Sequence, residues 1–325
     1  MEPYTLFIIS SPLQLMNAIE AVHHFHLKNL ILFILHVKNP RALAQMDKLK
    51  AMVPWSRVEY IHLPQTILER LMFVQQINRV KSSMPLGRID RIFVGDYGGD
   101  HMNHIVNSFK ASEVYLLDDG MVVSFYQQNQ ETSQGLKVTL RQKLYTLLGY
   151  KLMPIQHAFF SIYVVENAKV VENNYQFFRA HIQEKQVQEM VYFIGQPLME
   201  LGIVPATRYP ALLQRVLEYY APKKVYYIGH RNQERQQIEP MVEALGFIYR
   251  EFSNPLELEM IDAIEIPSDF ATFYSTALMT LPYFIDEANY TLFKLPLEDI
   301  DPQFVERIEE AYSVLQSRAL SLVTL

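Results

Sequence analysis

The sequence predicts an α/β protein of two doubly wound parallel-sheet domains, and three observations carry that expectation. Short apolar runs alternate with amphipathic segments along most of the chain, the pattern of successive βαβ units. Its 325 residues, 50% of them hydrophobic, exceed what one core comfortably organises and suit two domains of about 150 residues each. Several apolar runs end directly in Gly, Asp, Ser or His, where a buried strand must release its backbone into a turn.

Composition narrows the function classes. The chain contains no Cys, which removes disulfides, thiolate metal sites and Cys nucleophiles together and fits a reducing cytoplasm. Against 29 Lys and Arg stand 35 Asp and Glu, a net charge of −6 without a basic run, so nucleic acid is not an expected partner. The first residues pass from Met-Glu-Pro into an apolar strand with no basic region or small-residue cleavage site, so no signal peptide is expected. The apolar run at 30–35 is about a third of a bilayer span. A soluble, cytoplasmic protein is expected, with a composition that permits peripheral association with the inner face of the membrane. Nothing is repeated or low in complexity.

In chain order, residues 6–9 read as a buried first strand. Ser10-Ser11-Pro12 then starts a helix, with a Ser cap and Pro at the first helical position. Leu15, Ile19 and Val22 recur at helical spacing, which sets Gln14 and Asn17 near the first turn, at a strand end. Strands follow at 31–36, 58–62 and 91–94, with helices at 40–52 and 66–82 between them. The loop Gly95-Asp96-Tyr97-Gly98-Gly99-Asp100 is glycine-rich but lacks the spacing of a dinucleotide or phosphate loop. The helix after it carries His101 and His104, and no Glu or second pair beside them supports a metal.

The stretch around which the first domain is organised is Val114-Tyr115-Leu116-Leu117-Asp118-Asp119-Gly120. The apolar residues end a buried strand, and carboxyl ends of parallel strands line the ligand crevice of open α/β sheets. Neighbouring side chains on extended backbone point apart, so Asp119 can serve as general base while Asp118 holds the loop. An Asp-Gly turn without chemistry has the same local pattern. Residues 127–135 read as a polar, mobile loop and 159–165 as a further strand. Residues 166–190 are charged and amphipathic, and the domain junction is set in their second half, giving domains 1–187 and 188–325.

The second domain opens with a strand at 191–194 that ends in Gly195-Gln196-Pro197. A helix at 210–220 precedes a strand at 225–228 that ends in Gly229-His230-Arg231, and a histidine and an arginine at a strand end suit an anionic ligand. The helix at 233–245 is terminated by Gly246, and a loop then brings Glu257 to a helix start. Another strand runs into Ser275-Thr276 ahead of the helix beginning at Ala277, a junction where hydroxyls and backbone N–H groups can hold a phosphate. Asp301-Pro302 caps a last helix at 303–317, which closes the chain.

Taken in order, Asp118-Asp119-Gly120, Gly229-His230-Arg231 and Ser275-Thr276 resemble the acidic-Gly, His-Pro and Ser-Ser/Thr motifs of the bacterial sialyltransferases and polysialyltransferases. Residues 11–21 and the run Gly195-Gln196-Pro197-Leu198-Met199-Glu200 look most like glycosyltransferase family 52, the lipooligosaccharide sialyltransferases, and the resemblance covers nearly the whole chain. It implies a GT-B type fold, with two Rossmann-like domains facing across a cleft. It implies a CMP-activated nonulosonic acid as donor, a glycan hydroxyl as acceptor, no cofactor or metal, and a homodimer. Asp119 falls on the base position, His230 on the residue that assists departure of the CMP phosphate, and Ser275 and Thr276 on the pair that grips it. Gly195, Gln196, Arg231 and Glu257 join them on the nucleotide-sugar side, and Ser11 and Gln14 on the acceptor rim. Arg231 departs from the family's Pro. Two other readings stand beside this one: a divergent or non-catalytic nucleotide-sugar-binding relative, and a UDP-sugar epimerase on the same fold.

Overall fold

The computed structural model describes residues 3–35, 40–84, 88–95, 99–119, 143–165, 167–316 and 321–325. The chain forms two compact units, Met1–Tyr175 and Gln176–Leu325. In the first, β1 (Tyr4–Ile9), β2 (Leu30–Leu35), β3 (Arg57–Ile61), β4 (Ile89–Val94), β5 (Glu113–Leu117), β6 (Ala158–Ser161) and β7 (Val170–Glu172) make one parallel sheet in the order β3-β2-β1-β4-β5-β6-β7. The chain winds outward from β1 to β3, then returns to place β4 on the other flank of β1. The point between β1 and β4 is therefore a topological switch point, where loops from opposite windings part and leave a crevice. Every residue of β2 and all but the first of β1 are buried, as expected for central strands covered on both faces. Phe7, Phe93 and Tyr115 occupy paired register positions on β1, β4 and β5, and their rings stack at 4.9 Å in each step, which ties the register to the packing.

Helices α1 (Pro12–His24), α2 (Pro40–Lys50), α3 (Ile67–Ser82) and α4 (Asp100–Phe109) belong to this unit, as does a short helical segment at 143–147. Ser11 caps α1, its hydroxyl accepting the Gln14 N–H at 3.2 Å with Pro12 next to it. Thr66 and Glu69 close a reciprocal capping box on α3.

The second unit repeats the winding. Strands β8 (Gln186–Ile194), β9 (Lys224–Ile228), β10 (Ile248–Arg250), β11 (Glu265–Thr272), β12 (Asn289–Lys294) and β13 (Ser321–Thr324) lie parallel in the order β10-β9-β8-β11-β12-β13. Its switch point lies between β8 and β11. Helices are α5 (Gln176–Ile182), α6 (Tyr209–Tyr220), α7 (Arg235–Leu245), α8 (Leu256–Asp262), α9 (Ala277–Phe284) and α10 (Val305–Gln316). Gly246 ends α7 with φ of 111°, in the left-handed region that favours glycine.

The expected α/β class and double winding describe both units. Element boundaries differ in instructive places. The amphipathic stretch 166–190 holds β7, α5 and the start of β8. The units divide between Tyr175 and Gln176 rather than at 187/188, because Phe178 packs on Phe284 and the Lys185 ammonium donates to the carbonyls of Ile261 and Ala263. The final helix does not close the chain: β13 follows it and pairs with β12. The predicted loop at 127–135 lies outside the described residues.

Candidate functional site

In each unit the polar residues singled out from sequence collect at the carboxyl edge of the sheet. On the first, Gln14 lies across the switch point between β1 and β4. It is buried, not solvated, and its side-chain oxygen accepts the Ser10 N–H at 2.7 Å, with the Ser10 hydroxyl at 3.1 Å. Gly95, at the end of β4, permits this: a Cβ there would fall 2.2 Å from the Gln14 oxygen. Ser11 serves as the α1 cap at the same rim.

One strand further over, the two aspartates part company. Asp118 is buried, and its carboxylate accepts from the Ser161 hydroxyl at 2.5 Å and from the Ile162 N–H at 2.9 Å, so it binds the end of β5 to the end of β6. Asp119 is half-buried at the edge of the described chain. Asp118 is thus engaged by its own carboxylate in joining two strand ends. Asn17 reinforces the rim from α1. Its amide donates to the Asp118 carbonyl at 2.9 Å, while its oxygen receives the Asn173 amide at 3.0 Å and the Tyr175 hydroxyl. Sequence reading placed Asn17 near the helix start but had no signal for this role, because its partners are remote in the chain.

On the second unit, Gly195 and Gln196 follow β8, His230 follows the adjacent β9, and Ser275 and Thr276 follow β11 on the other flank of β8. A Cβ on Gly195 would lie 2.6 Å from the Tyr227 hydroxyl and ring, and one on Gly229 would lie 2.4 Å from the Tyr249 hydroxyl. Both loops are therefore drawn flush against tyrosines. Gln233, which sequence reading passed over, ties them together. Its amide donates to the Gln196 carbonyl at 3.0 Å and the Tyr227 hydroxyl at 2.8 Å, and its oxygen accepts the His230 N–H at 2.9 Å.

His230 is half-buried, and its Nδ1 accepts the Asn232 N–H at 3.1 Å. In the neutral ring the proton then resides on Nε2. Burial, and secondarily the charge of Arg231, hold its pKa below the ordinary imidazole value. Near neutral pH this histidine is a neutral N–H donor. Arg231 itself is exposed. Ser275 is buried and its hydroxyl accepts the Ala277 N–H at 3.3 Å, while Thr276 is exposed at the cap of α9. Glu257, on the first turn of α8, accepts the Thr280 hydroxyl at 2.5 Å, and burial pushes its carboxyl above the usual range. Glu257, Ser275 and Thr276 are thereby gathered at the start of α9, as Gln196 and His230 are gathered by Gln233. Among the described residues, no group of three or more His, Asp or Glu could hold a metal ion.

No protein-family model matches the chain, and no curated protein matches it. Solved structures do. The UDP-GlcNAc 2-epimerase of Methanocaldococcus jannaschii aligns at 11% identity over 98% of this chain and 94% of that one, with a TM-score of 0.52. Another UDP-N-acetylglucosamine 2-epimerase aligns at 10% identity over 94% and 82%, with a TM-score of 0.51. Arabidopsis thaliana UGT89C1, complexed with UDP, aligns at 11% identity over 99% and 86%, with a TM-score of 0.49. At such identities the likeness is one of fold, and the two epimerases carry it across both units. The chain is a GT-B type α/β protein made of two Rossmann-like domains.

Proposed function

We propose that this chain is a nucleotide-sugar enzyme, and in particular a metal-independent glycosyltransferase. It would move sialic acid or a related nonulosonic acid from a CMP-activated donor to a hydroxyl of a cell-surface glycan such as lipooligosaccharide or capsule. The observation that carries the reading is the placement of the motif residues at the carboxyl rims of both sheets, with Asp118 locked into the fold and Asp119 beside it. Asp119 would accept the proton of the acceptor hydroxyl as its oxygen bonds to the anomeric carbon and the bond to the phosphate breaks. Charge then gathers on the departing CMP phosphate. The His230 Nε2–H, the Thr276 hydroxyl and the positive end of α9 are donors suited to it. His230 thus acts by hydrogen bonding more than by delivering a proton. Glu257, beside the same helix start, would face the nucleoside. A homodimer at the inner face of the membrane belongs to the same reading.

A second reading has its own support. Two of the similar structures, with TM-scores of 0.51 and 0.52, are UDP-GlcNAc 2-epimerases, and carboxylates and histidine at sheet rims also suit proton transfer at a sugar carbon. A nucleotide-sugar binder without catalysis would keep the same second-unit rim. The deciding experiment incubates the protein with several CMP-sugars and a panel of galactosides, and separately with UDP-GlcNAc, with mass and epimer detection. A mass gain on a galactoside from a CMP-sugar is expected. Epimerised UDP-sugar without transfer would replace the first reading by the second.

A further inference from the structure

Helix α3 is apolar on two opposite faces. Phe73, Val74, Ile77 and Val80 are buried against the first unit. At roughly 100° per residue, Ile67, Leu68, Leu71 and Met72 occupy the reverse side, and they are between 42% and 68% exposed. Further along that outer side come Gln75, Asn78 and Arg79, so the apolar surface is confined to the first two turns. The segment at 143–150 adjoins α3: the Arg70 guanidinium lies 4.9 Å from the Tyr145 ring centroid, and Tyr150 stacks on Phe73 at 5.9 Å. Flanking Tyr145 are Leu144, 44% exposed, and Leu147, 86% exposed. Scattered exposed leucines need no explanation, but this many on adjoining segments form a patch that does.

The charges around it indicate the occupant. The chain as a whole carries −6, yet α3 and residues 143–153 together hold Arg70, Arg79, Lys81, Lys143 and Lys151 against the single acid Glu69. Glu69 is turned back onto the Gln65 and Thr66 N–H groups. Of these, Arg70 packs on Tyr145 and Lys81 donates to the Ser108 carbonyl, while Arg79, Lys143 and Lys151 are exposed. An outward apolar helix face with exposed cations on the same two segments matches the acyl and headgroup layers of an anionic bilayer. A second protein surface fits less well, since interface cores are depleted in Lys and anchored by aromatic and Arg side chains that the outer face of α3 lacks at its apolar end. Among the described residues no helix is long and apolar enough to cross a membrane.

We infer that the outer face of the first two turns of α3, with Leu144 and Leu147, docks the protein on anionic membrane surfaces. This deepens the membrane part of the reading above but rests on the patch, and its test needs neither donor nor acceptor. The full chain is sedimented with vesicles of phosphatidylglycerol and phosphatidylethanolamine and with vesicles of phosphatidylcholine alone. Binding to the anionic vesicles, weakening with salt, is expected. Leu68→Asp with Leu71→Asp should lower the partition coefficient about tenfold or more, and Lys143→Glu with Lys151→Glu by about fivefold per lysine. Both leucines are surface residues away from the rim motifs, so activity on soluble acceptors should persist. Three results would overturn the inference: no vesicle binding by the wild-type chain, undiminished binding by the Leu68/Leu71 variant, or a dimer in sedimentation velocity that this variant dissociates. The last would assign the patch to a second copy of the chain.

Discussion

Asp118 and Asp119 are adjacent in sequence and opposite in expected effect. Asp119→Asn keeps volume and removes proton acceptance, so turnover should fall by about two to four orders of magnitude with donor affinity nearly unchanged; single-turnover rates and calorimetry with CMP separate the two, and wild-type turnover would remove Asp119 from the mechanism. Asp118→Ala leaves the Ile162 N–H and Ser161 hydroxyl without their acceptor, a loss of about 1–3 kcal/mol in denaturant unfolding. His230 gives a pH signature. Its pKa is lowered in the folded protein, by burial first and by the charge of Arg231 second, so the neutral ring predominates at and above its ordinary value near 6.5. If the neutral Nε2–H is the working form, kcat should stay level on the alkaline side of about pH 6.5. A fall there that disappears in His230→Gln would mean that the imidazolium does the work. His230→Ala should lower kcat more than it weakens CMP binding, because the donor acts on charge that develops in the reaction.

At the scale of elements, the start of α9 and the end of β8 make separable predictions. Ser275→Ala with Thr276→Val removes hydroxyls from the α9 cap and should weaken CMP binding by about 1–3 kcal/mol; unchanged calorimetric affinity would place the phosphate elsewhere. Gly195→Ala would press a methyl against the Tyr227 ring, whose nearest atoms lie at 2.6 Å from the Cβ position. Tyr227 is held by hydrogen bonds from Gln233 and with Tyr209, so the ring cannot simply swing away. A destabilisation of about 1–3 kcal/mol in urea unfolding is expected, with Tyr227→Phe giving no relief because ring carbons, not only the hydroxyl, are in the way. These elements also show what could be read in the chain. Central strands such as β2 are continuous apolar runs, and the Ser11 cap, the Thr66 region and Gly246 mark helix ends by local chemistry. β8 begins with exposed polar residues, and β7 and β10 have three residues each, so neither period nor length separates them from loops. Asn17, Asn173, Tyr175 and Gln233 act through partners brought near only by the fold, and no local pattern announces them.

For the whole molecule, the double winding by itself selects neither the reaction nor the nucleotide, since one fold hosts many chemistries, and the choice among the proposed readings falls to ligand binding. Binding to the native state alone raises unfolding free energy by RT ln(1 + [L]/Kd), about 2.7 kcal/mol at a hundredfold excess over Kd. For a chain in two units that gain reaches only the unit that holds the ligand, so the shape of the melting curve carries information beyond its midpoint. The rim gathered by Gln233 and the rim at the start of α9 both belong to Gln176–Leu325. CMP should therefore raise the melting transition of that unit, seen by hydrogen exchange as added protection at the ends of β8, β9 and β11, with little change at Asp118. UDP should do so more weakly or not at all. Protection by UDP alone would favour the epimerase reading, and protection by neither nucleotide would separate this chain from nucleotide-sugar chemistry altogether. Protection by CMP that survives Ser275→Ala with Thr276→Val but vanishes in His230→Ala would keep the nucleotide and move its phosphate from α9 to the end of β9.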